Sequence, residues 1–178
     1  MKTKILKLSK TKKNISLYLN PHDTSKFIFG HIISANDMHF VMCLVDSYGN
    51  YDGILVKEID EIIRIELDDK YAKKIEKLIR DKGIYEIDLC LNGDDIIKEV
   101  LDVIQNANKI VSIEILHSGA SDVIGFVDDV TDDICTIRQI NSYGEEDGKT
   151  HIILNNITEL SFDSVEENTI LKLWNSTI

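Results

Sequence analysis

The chain has 178 residues, 43% of them apolar and only one of them proline, which excludes a disordered chain and leaves room for one domain or two small ones. Charged residues, with a net charge of −11 at pH 7, interrupt every apolar run well before the roughly 20 residues that a transmembrane helix needs. We therefore expect a cytoplasmic protein that has no membrane segment.

The N-terminal segment is basic, unlike the rest of the chain. Its first 13 residues carry six lysines and no acid, so the remaining chain carries −17, and no apolar core of a secretory signal follows. Met1, Ile5 and Leu8 have the i, i+4, i+7 spacing of a helix. Leu6 and Leu8 also alternate with lysines, which is typical of a strand. Both interpretations remain open at this stage.

Five strands and a helix are predicted next, from alternating and then helical apolar spacing. The strands are expected at 15–19, 27–34, 39–45, 54–58 and 62–67, and the helix at 70–81. Gly30 falls inside the second strand, where glycine is typical of a bulge or a sharp bend. Residues 58–61 resemble a one-turn connector, and Asp68 is placed to cap the helix.

The second half of the chain repeats this series. A strand-like run at 84–91 and an amphipathic helix at 95–107 come first. Strands are then expected at 111–115, 122–128, 134–140, 149–153 and 157–162, and a helix at 165–174. Gly125 and Asp163 take the places of Gly30 and Asp68.

A heptapeptide pattern confirms that the two halves are related. Residues 47–53 (SYGNYDG) return as residues 142–148 (SYGEEDG), 95 residues later, and the alignment continues to the helices without a gap. The first strands match at an offset of 96, which indicates a single-residue insertion in the next loop. We expect two copies of one small fold, with domains at 1–92 and 93–178.

Each copy resembles the small SH3-like or Sm-like β-barrel in its five short strands, its bend glycine, its one-turn connector and its flanking helices. The resemblance implies a mainly β, α+β fold class with two tandem five-stranded antiparallel barrels. Sm proteins contact RNA through loops with a characteristic Asn and an Arg-Gly pair. Here the turn before the fourth strand holds Asp52-Gly53 or Asp147-Gly148, and no Arg-Gly follows. We therefore carry over the fold and no RNA-binding residue.

The repeated turn is the candidate partner-binding loop. Its candidate residues are Tyr48, Gly49, Asp52, Gly53, Tyr143, Gly144, Asp147 and Gly148. They could cradle a ligand or a peptide. Alternatively, the glycines supply positive φ, the aspartates bond nearby amides and the tyrosines pack over the barrel mouth. We expect the second, structural interpretation, because recurrence in both copies fits maintenance of the fold.

No cofactor or metal site is predicted. The acidic turn at 128–133 lacks the ligand order of an EF-hand, and we expect a solvated hairpin tip. None of the five histidines has a zinc-ligand spacing, and no Cys-x-x-Cys occurs. Cys43, Cys90 and Cys135 are odd in number and lie in strand-like runs, which predicts reduced, buried thiols.

The function expected from the sequence is therefore recognition. No nucleophile motif, phosphate-binding loop or dinucleotide fingerprint is present, and we expect no enzyme activity. The leading hypothesis is a non-enzymatic cytoplasmic module that binds another protein, with a basic partner favoured, since the negative body repels nucleic acid. One alternative is an acidic inhibitor or immunity-type protein that binds a basic enzyme. The other is an Sm-like RNA-binding module that uses the lysine-rich N-terminus.

Overall fold

The structure, a computed structural model, describes residues 1–82 and 89–177. The chain divides into two units, Met1–Gly93 and Asp94–Ile178. Most of the predicted strand-like run at 84–91 lies outside the described residues.

Residues 1–82 of the first unit form two helices, five strands and a 3-10 turn. In chain order these are α1 (Lys2–Leu8), β1 (Asn14–Tyr18), β2 (Ile28–Ala35), β3 (His39–Val45), β4 (Tyr51–Glu58), the 3-10 turn Ile59–Glu61, β5 (Arg64–Glu66) and α2 (Lys70–Lys82).

The second unit has the same order of elements. They are α3 (Ile96–Asn106), β6 (Ile110–Ile115), β7 (Val123–Val130), β8 (Ile134–Ile140), β9 (Glu146–Ile153), the 3-10 turn Leu154–Asn156, β10 (Ile157–Phe162) and α4 (Val165–Thr177). The bounds of β2, β3 and β4 recur in β7, β8 and β9 at the offset of 95. β4 and β9 each begin three residues earlier than predicted.

The prediction of two five-stranded barrels is wrong. Each unit forms an open antiparallel sheet, with the order β5-β1-β2-β3-β4 in the first unit and β10-β6-β7-β8-β9 in the second. β4 and β5 are not neighbours, so the first unit does not close, and neither do β9 and β10 in the second. Strand lengths and a bend glycine do not determine closure, because closure depends on the tilt and stagger of the strands.

Two apolar clusters of the first unit place one helix against each face of its sheet. Ile5 and Leu8 of α1 pack with residues of β1, β2 and β3 in one cluster. Ala72 and Ile75 of α2 pack with Phe29 and Val45 in the other. The N-terminal segment is thus a helix, and burial of each large aliphatic side chain contributes roughly 1.5–3 kcal/mol.

The bend glycines bring two backbones into close approach. A Cβ at Gly30 would lie 1.8 Å from the carbonyl oxygen of Cys43, and one at Gly125 would lie 2.1 Å from that of Arg138. The pairing register is unbroken at Gly30 and shifts only between Ile32 and Ser34. Gly30 is therefore needed because β2 and β3 approach closely there. The β-bulge lies further along β2, between Ile32 and Ser34.

The helix caps lie one residue beyond the predicted ones. Asp69 accepts a hydrogen bond from the Ala72 amide at 2.6 Å, and the Ser164 hydroxyl oxygen accepts one from the Glu166 amide at 3.1 Å. Asp68 and Asp163 instead adopt left-handed conformations, with φ of 59° and 65°. They form ion pairs with lysines at equivalent positions, Lys13 and Lys109.

The thiols differ in exposure. Cys43 and Cys135 are buried, and burial raises the pKa of each to about 11. The prediction of a buried thiol is wrong for Cys90, which is exposed. It lies outside any described strand, so the apolar run around it did not indicate burial. None of the helices in the described ranges is both long and apolar enough to cross a membrane.

Candidate functional site

The predicted loop residues lie in the β3–β4 and β8–β9 hairpins, which are held by the residue before each repeated motif. Oδ1 of Asp46 accepts hydrogen bonds from the amides of Tyr48 and Asn50, both at 2.8 Å. Oδ1 of Asn141 accepts the equivalent bonds from Tyr143 at 2.9 Å and Glu145 at 3.1 Å. Sequence reasoning missed these two residues, although an Asx side chain three residues before a glycine is a turn signal.

The loop glycines serve the backbone. Gly49 and Gly144 have φ of +76° and +75°, and an added Cβ would lie 2.8 Å from Leu78 Cβ or 2.5 Å from Leu173 Cβ. The predicted disfavoured conformation of Gly53 and Gly148 is confirmed by φ of 93° and 83°. Those two lie at register shifts inside β4 and β9 and not at the tight reversal.

The two loop tyrosines do not pack on the sheet. Tyr48 is 71% exposed and Tyr143 is 76% exposed. The interpretation that they cover a barrel mouth is therefore wrong, because the hairpin tip directs both side chains to solvent.

Asp52 reaches a surface cavity of the first unit, with a volume of about 280 Å³. We name this cavity the aromatic–acidic pocket. It is defined by the aromatic walls Phe27, Phe29 and Tyr71 and the polar residues Asp46, Ser47 and Asp52, with Ile28, Leu44 and Val45 completing the lining. Asp147, the equivalent of Asp52, is exposed.

The aromatic walls contact one another directly. The Phe27 and Tyr71 ring centroids are 4.9 Å apart with the planes at 85°, and those of Phe29 and Tyr71 are 5.4 Å apart at 80°. Such edge-to-face contacts stabilise a defined arrangement of rings. Phe29 is buried, whereas Phe27 and Tyr71 are half-buried and present part of their surface to a ligand.

The carboxylates of Asp46 and Asp52 lie in the lining of the pocket, beside its aromatic rings. The pKa of Tyr71 is raised, mainly by burial and further by the negative charges of Asp46 and Asp69. A neighbouring lysine already approaches the same ring, since Lys74 Nζ lies 5.8 Å from its centroid. Negative charge and a ring that a cation approaches therefore lie close together here.

The second unit lacks the aromatic walls at equivalent positions. At the offset of 95, Phe27 corresponds to Asp122, Phe29 to Ile124 and Tyr71 to Glu166. Asp122 serves its own loop, because it accepts hydrogen bonds from the Ile115 amide at 2.7 Å and the Ser118 hydroxyl at 2.6 Å. These two bonds lower the pKa of Asp122, and the bond from Ser118 has the larger effect. The hairpin is thus common to both copies, and the aromatic walls belong to the first alone.

A larger cavity of the first unit, about 470 Å³, has a more apolar lining. It is lined by Leu17, Leu19, Asn20, Ser25, Lys26, Phe27 and Ile28. Its one ionisable lining residue is Lys26, whose ammonium lies 3.7 Å from Asp23. The aromatic–acidic pocket is the better candidate, because polar groups converge there beside the predicted loop.

The acidic turn of the second unit engages cations of the protein itself. Asp128 contacts Lys149 Nζ at 2.6 Å and Arg138 Nε at 3.2 Å, and Asp132 contacts Lys98 Nζ at 2.5 Å. These contacts lower the pKa of both carboxyls, chiefly through Lys149 for Asp128 and Lys98 for Asp132. The Asp128 ion pairs connect β7 to β8 and β9, and the Asp132 ion pair connects the turn after β7 to α3.

The chain matches no protein-family model, no curated protein and no solved structure. The SH3-like or Sm-like resemblance stays a prediction, without its closed barrel.

Proposed function

We propose that the chain is a non-enzymatic protein-interaction module of the cytoplasm, with the aromatic–acidic pocket as its contact site. The observation that carries the proposal is the difference between the two copies. Both have the hairpin, so the hairpin is explained by the fold. The half-buried Phe27 and Tyr71 occur beside it in only one copy, whereas the second copy packs Phe126 and Trp174 together at a centroid distance of 5.6 Å.

The chemistry of the pocket suits recognition of a partner side chain. Aromatic residues in partly desolvated pockets contribute a large share of binding energy at protein interfaces. A volume of about 280 Å³ is at the lower end of ligand pockets and fits a side chain better than a large cofactor. The carboxylates of Asp46 and Asp52 add polar contacts around the rings.

The lysine-rich N-terminus contributes to the folded unit, which disfavours its use as a free RNA-binding arm. Ile5 and Leu8 are buried in the core of the first unit. Lys2 lies 3.9 Å from Asp37, and Lys13 lies 2.6 Å from Asp68. Deletion of residues 1–13 would therefore damage the core as well as remove charge.

The test compares affinity capture from host lysate by three forms of the full chain. These are the wild type, Tyr71→Glu, which carries the residue of the second copy, and Tyr143→Ala, which changes an exposed aromatic outside the pocket. We expect at least one captured protein to fall about tenfold with Tyr71→Glu and to persist with Tyr143→Ala. That protein, once purified, should bind the wild-type chain in calorimetry.

Capture patterns that do not distinguish Tyr71→Glu from the wild type would contradict the proposal. A captured basic enzyme that loses activity on binding would favour the inhibitor alternative. Single-stranded RNA that binds equally well to wild type and Tyr71→Glu would favour the RNA-binding alternative.

A further inference from the structure

We propose that the aromatic–acidic pocket takes up the cationic side chain of a lysine or arginine of the partner protein. The inference rests on the proposed function of the pocket and adds the chemistry of its ligand. It follows from three features of the pocket, namely the ring faces, the carboxylates and the comparison with the second copy.

The ring faces attract cations. A Lys or Arg head group within about 6 Å of a Tyr or Phe centroid is stabilised by the negative face of the ring, more strongly where water is excluded. Lys74 Nζ already lies 5.8 Å from the Tyr71 centroid, so this ring accepts a cation at one side. Phe27 meets Tyr71 edge to face, and the half-buried surfaces of both rings line the cavity.

The carboxylates place negative charge at the same cavity. Asp46 and Asp52 both line it, and the charge of Asp46 acts at the Tyr71 hydroxyl. Asp46 is held in position by two backbone amides of its turn, so its carboxylate is preorganised. An aliphatic stem can pack on the rings while its cationic head approaches these carboxylates.

The second copy shows that the two backbone-amide contacts of this turn form without a negative charge. Asn141 occupies the same position and makes the same two amide contacts through a neutral side chain. The carboxylate of Asp46 adds a charge, and its Oδ2 accepts a hydrogen bond from Asn50 Nδ2 at 2.8 Å, whereas Asn141 Nδ2 donates to Glu145 Oε2 at 3.3 Å. That charge occurs in the copy that also has the aromatic walls.

The experiment is an NMR titration of the isotope-labelled full chain with small probes. The cationic probes are Nα-acetyl-lysine methylamide and Nα-acetyl-arginine methylamide, and the neutral probe is the Nε-acetylated form of the lysine compound. We expect saturable shifts at Phe27, Tyr71 and Asp52 with a cationic probe. Its affinity should exceed that of the neutral probe at least tenfold and should fall as salt rises.

Matched variants locate the charge. Asp46→Asn should weaken cationic binding at least fivefold and keep the two backbone-amide contacts of the turn, because Asn141 makes the same contacts in the second copy. Asn141→Asp, the reciprocal change in the second unit, should leave binding unchanged. If Asp46→Asn nevertheless melts early, Asp52→Asn supplies the same test from the other carboxylate.

Equal affinity for the cationic and neutral probes would overturn the inference. The proposed function would stand in that case, provided that Tyr71→Glu still lowers capture of the partner about tenfold. Absence of pocket shifts with every probe would also overturn the inference, as would unchanged cationic binding in both carboxylate variants. Only the capture experiment bears on the proposed function itself.

Discussion

Gly49 and Gly144 lie at equivalent positions of the two hairpins, and each leaves no room for a side chain. In the second unit, a Cβ at Gly144 would lie 2.5 Å from Leu173 Cβ and 2.6 Å from the Trp174 amide nitrogen. Both contacts are with α4, so the loop touches the helix through its backbone. The repeated glycine is explained by this contact and by its positive φ.

Gly144→Ala and Gly148→Ala separate the two effects. Both positions have positive φ, whereas a Cβ at Gly148 would meet nothing within 4 Å. We expect Gly148→Ala to lower the free energy of unfolding by about 1–2 kcal/mol, the cost of a left-handed side chain. Gly144→Ala should cost at least about 1 kcal/mol more, because α4 has to shift. Urea denaturation measures both, and equal losses would contradict the close contact.

Tyr48→Ala and Tyr143→Ala should barely change stability. Both side chains are mostly exposed, and surface substitutions of this kind usually change the free energy of unfolding by less than about 0.5 kcal/mol. Thermal melting followed by circular dichroism checks this. A clear drop in both melting temperatures would restore the interpretation in which the tyrosines pack against the fold.

At the scale of elements, one carboxylate connects three strands of the second unit. Asp128 of β7 contacts Arg138 of β8 and Lys149 of β9. The Lys149 hydrogen bond is the largest cause of its lowered pKa. Because the pKa is lower in the folded state, the stabilisation is present above the unfolded pKa and is lost as pH falls through the folded pKa.

Asp128→Asn should therefore lower the free energy of unfolding at pH 7 by about 0.5–1 kcal/mol, as for a partly exposed ion pair. The difference from the wild type should shrink as the pH falls below about 3.8, the ordinary value for this carboxyl. Urea titrations at several pH values measure it. Asp129→Asn, at an exposed neighbour, controls for the loss of one charge, and a difference that grows in acid would contradict the linkage.

Sequence patterns predicted the elements better than their assembly. Apolar periodicity located the five strands of each copy and the helices α2, α3 and α4, since these elements depend on neighbouring residues. It left α1 undecided, because its apolar stripe is short. The caps were misplaced by one residue, since Asp68 and Asp69 are equivalent in type and only the backbone distinguishes them.

The candidate site was predicted only in part. Asp52 was singled out within the repeated turn, whereas Phe27 and Tyr71 were not, because they are 44 residues apart and meet only through the packing of β2 against α2. The repeated motif indicated candidate site residues that both copies share. The pocket depends on residues in which the copies differ.

At the scale of the whole molecule, charge governs behaviour in solution. The net charge of −11 at pH 7 predicts repulsion between copies of the chain, and the sequence isoelectric point is about 4.8. We expect the solubility minimum near that pH, where carboxylates become protonated and repulsion disappears. Static light scattering across about pH 4–7 measures the pH of minimum solubility. Carboxylates and histidines change charge within this range.

A charge-reversal variant tests this cause. Asp60 and Asp129 are exposed in the first and second unit, respectively. The double variant Asp60→Lys, Asp129→Lys makes the net charge more positive by four, so the solubility minimum should move to higher pH. The matched variant Asp60→Asn, Asp129→Asn makes it more positive by two and should move the minimum about half as far. An aggregation maximum that stays in place in both variants would show that an apolar contact, and not net charge, controls self-association.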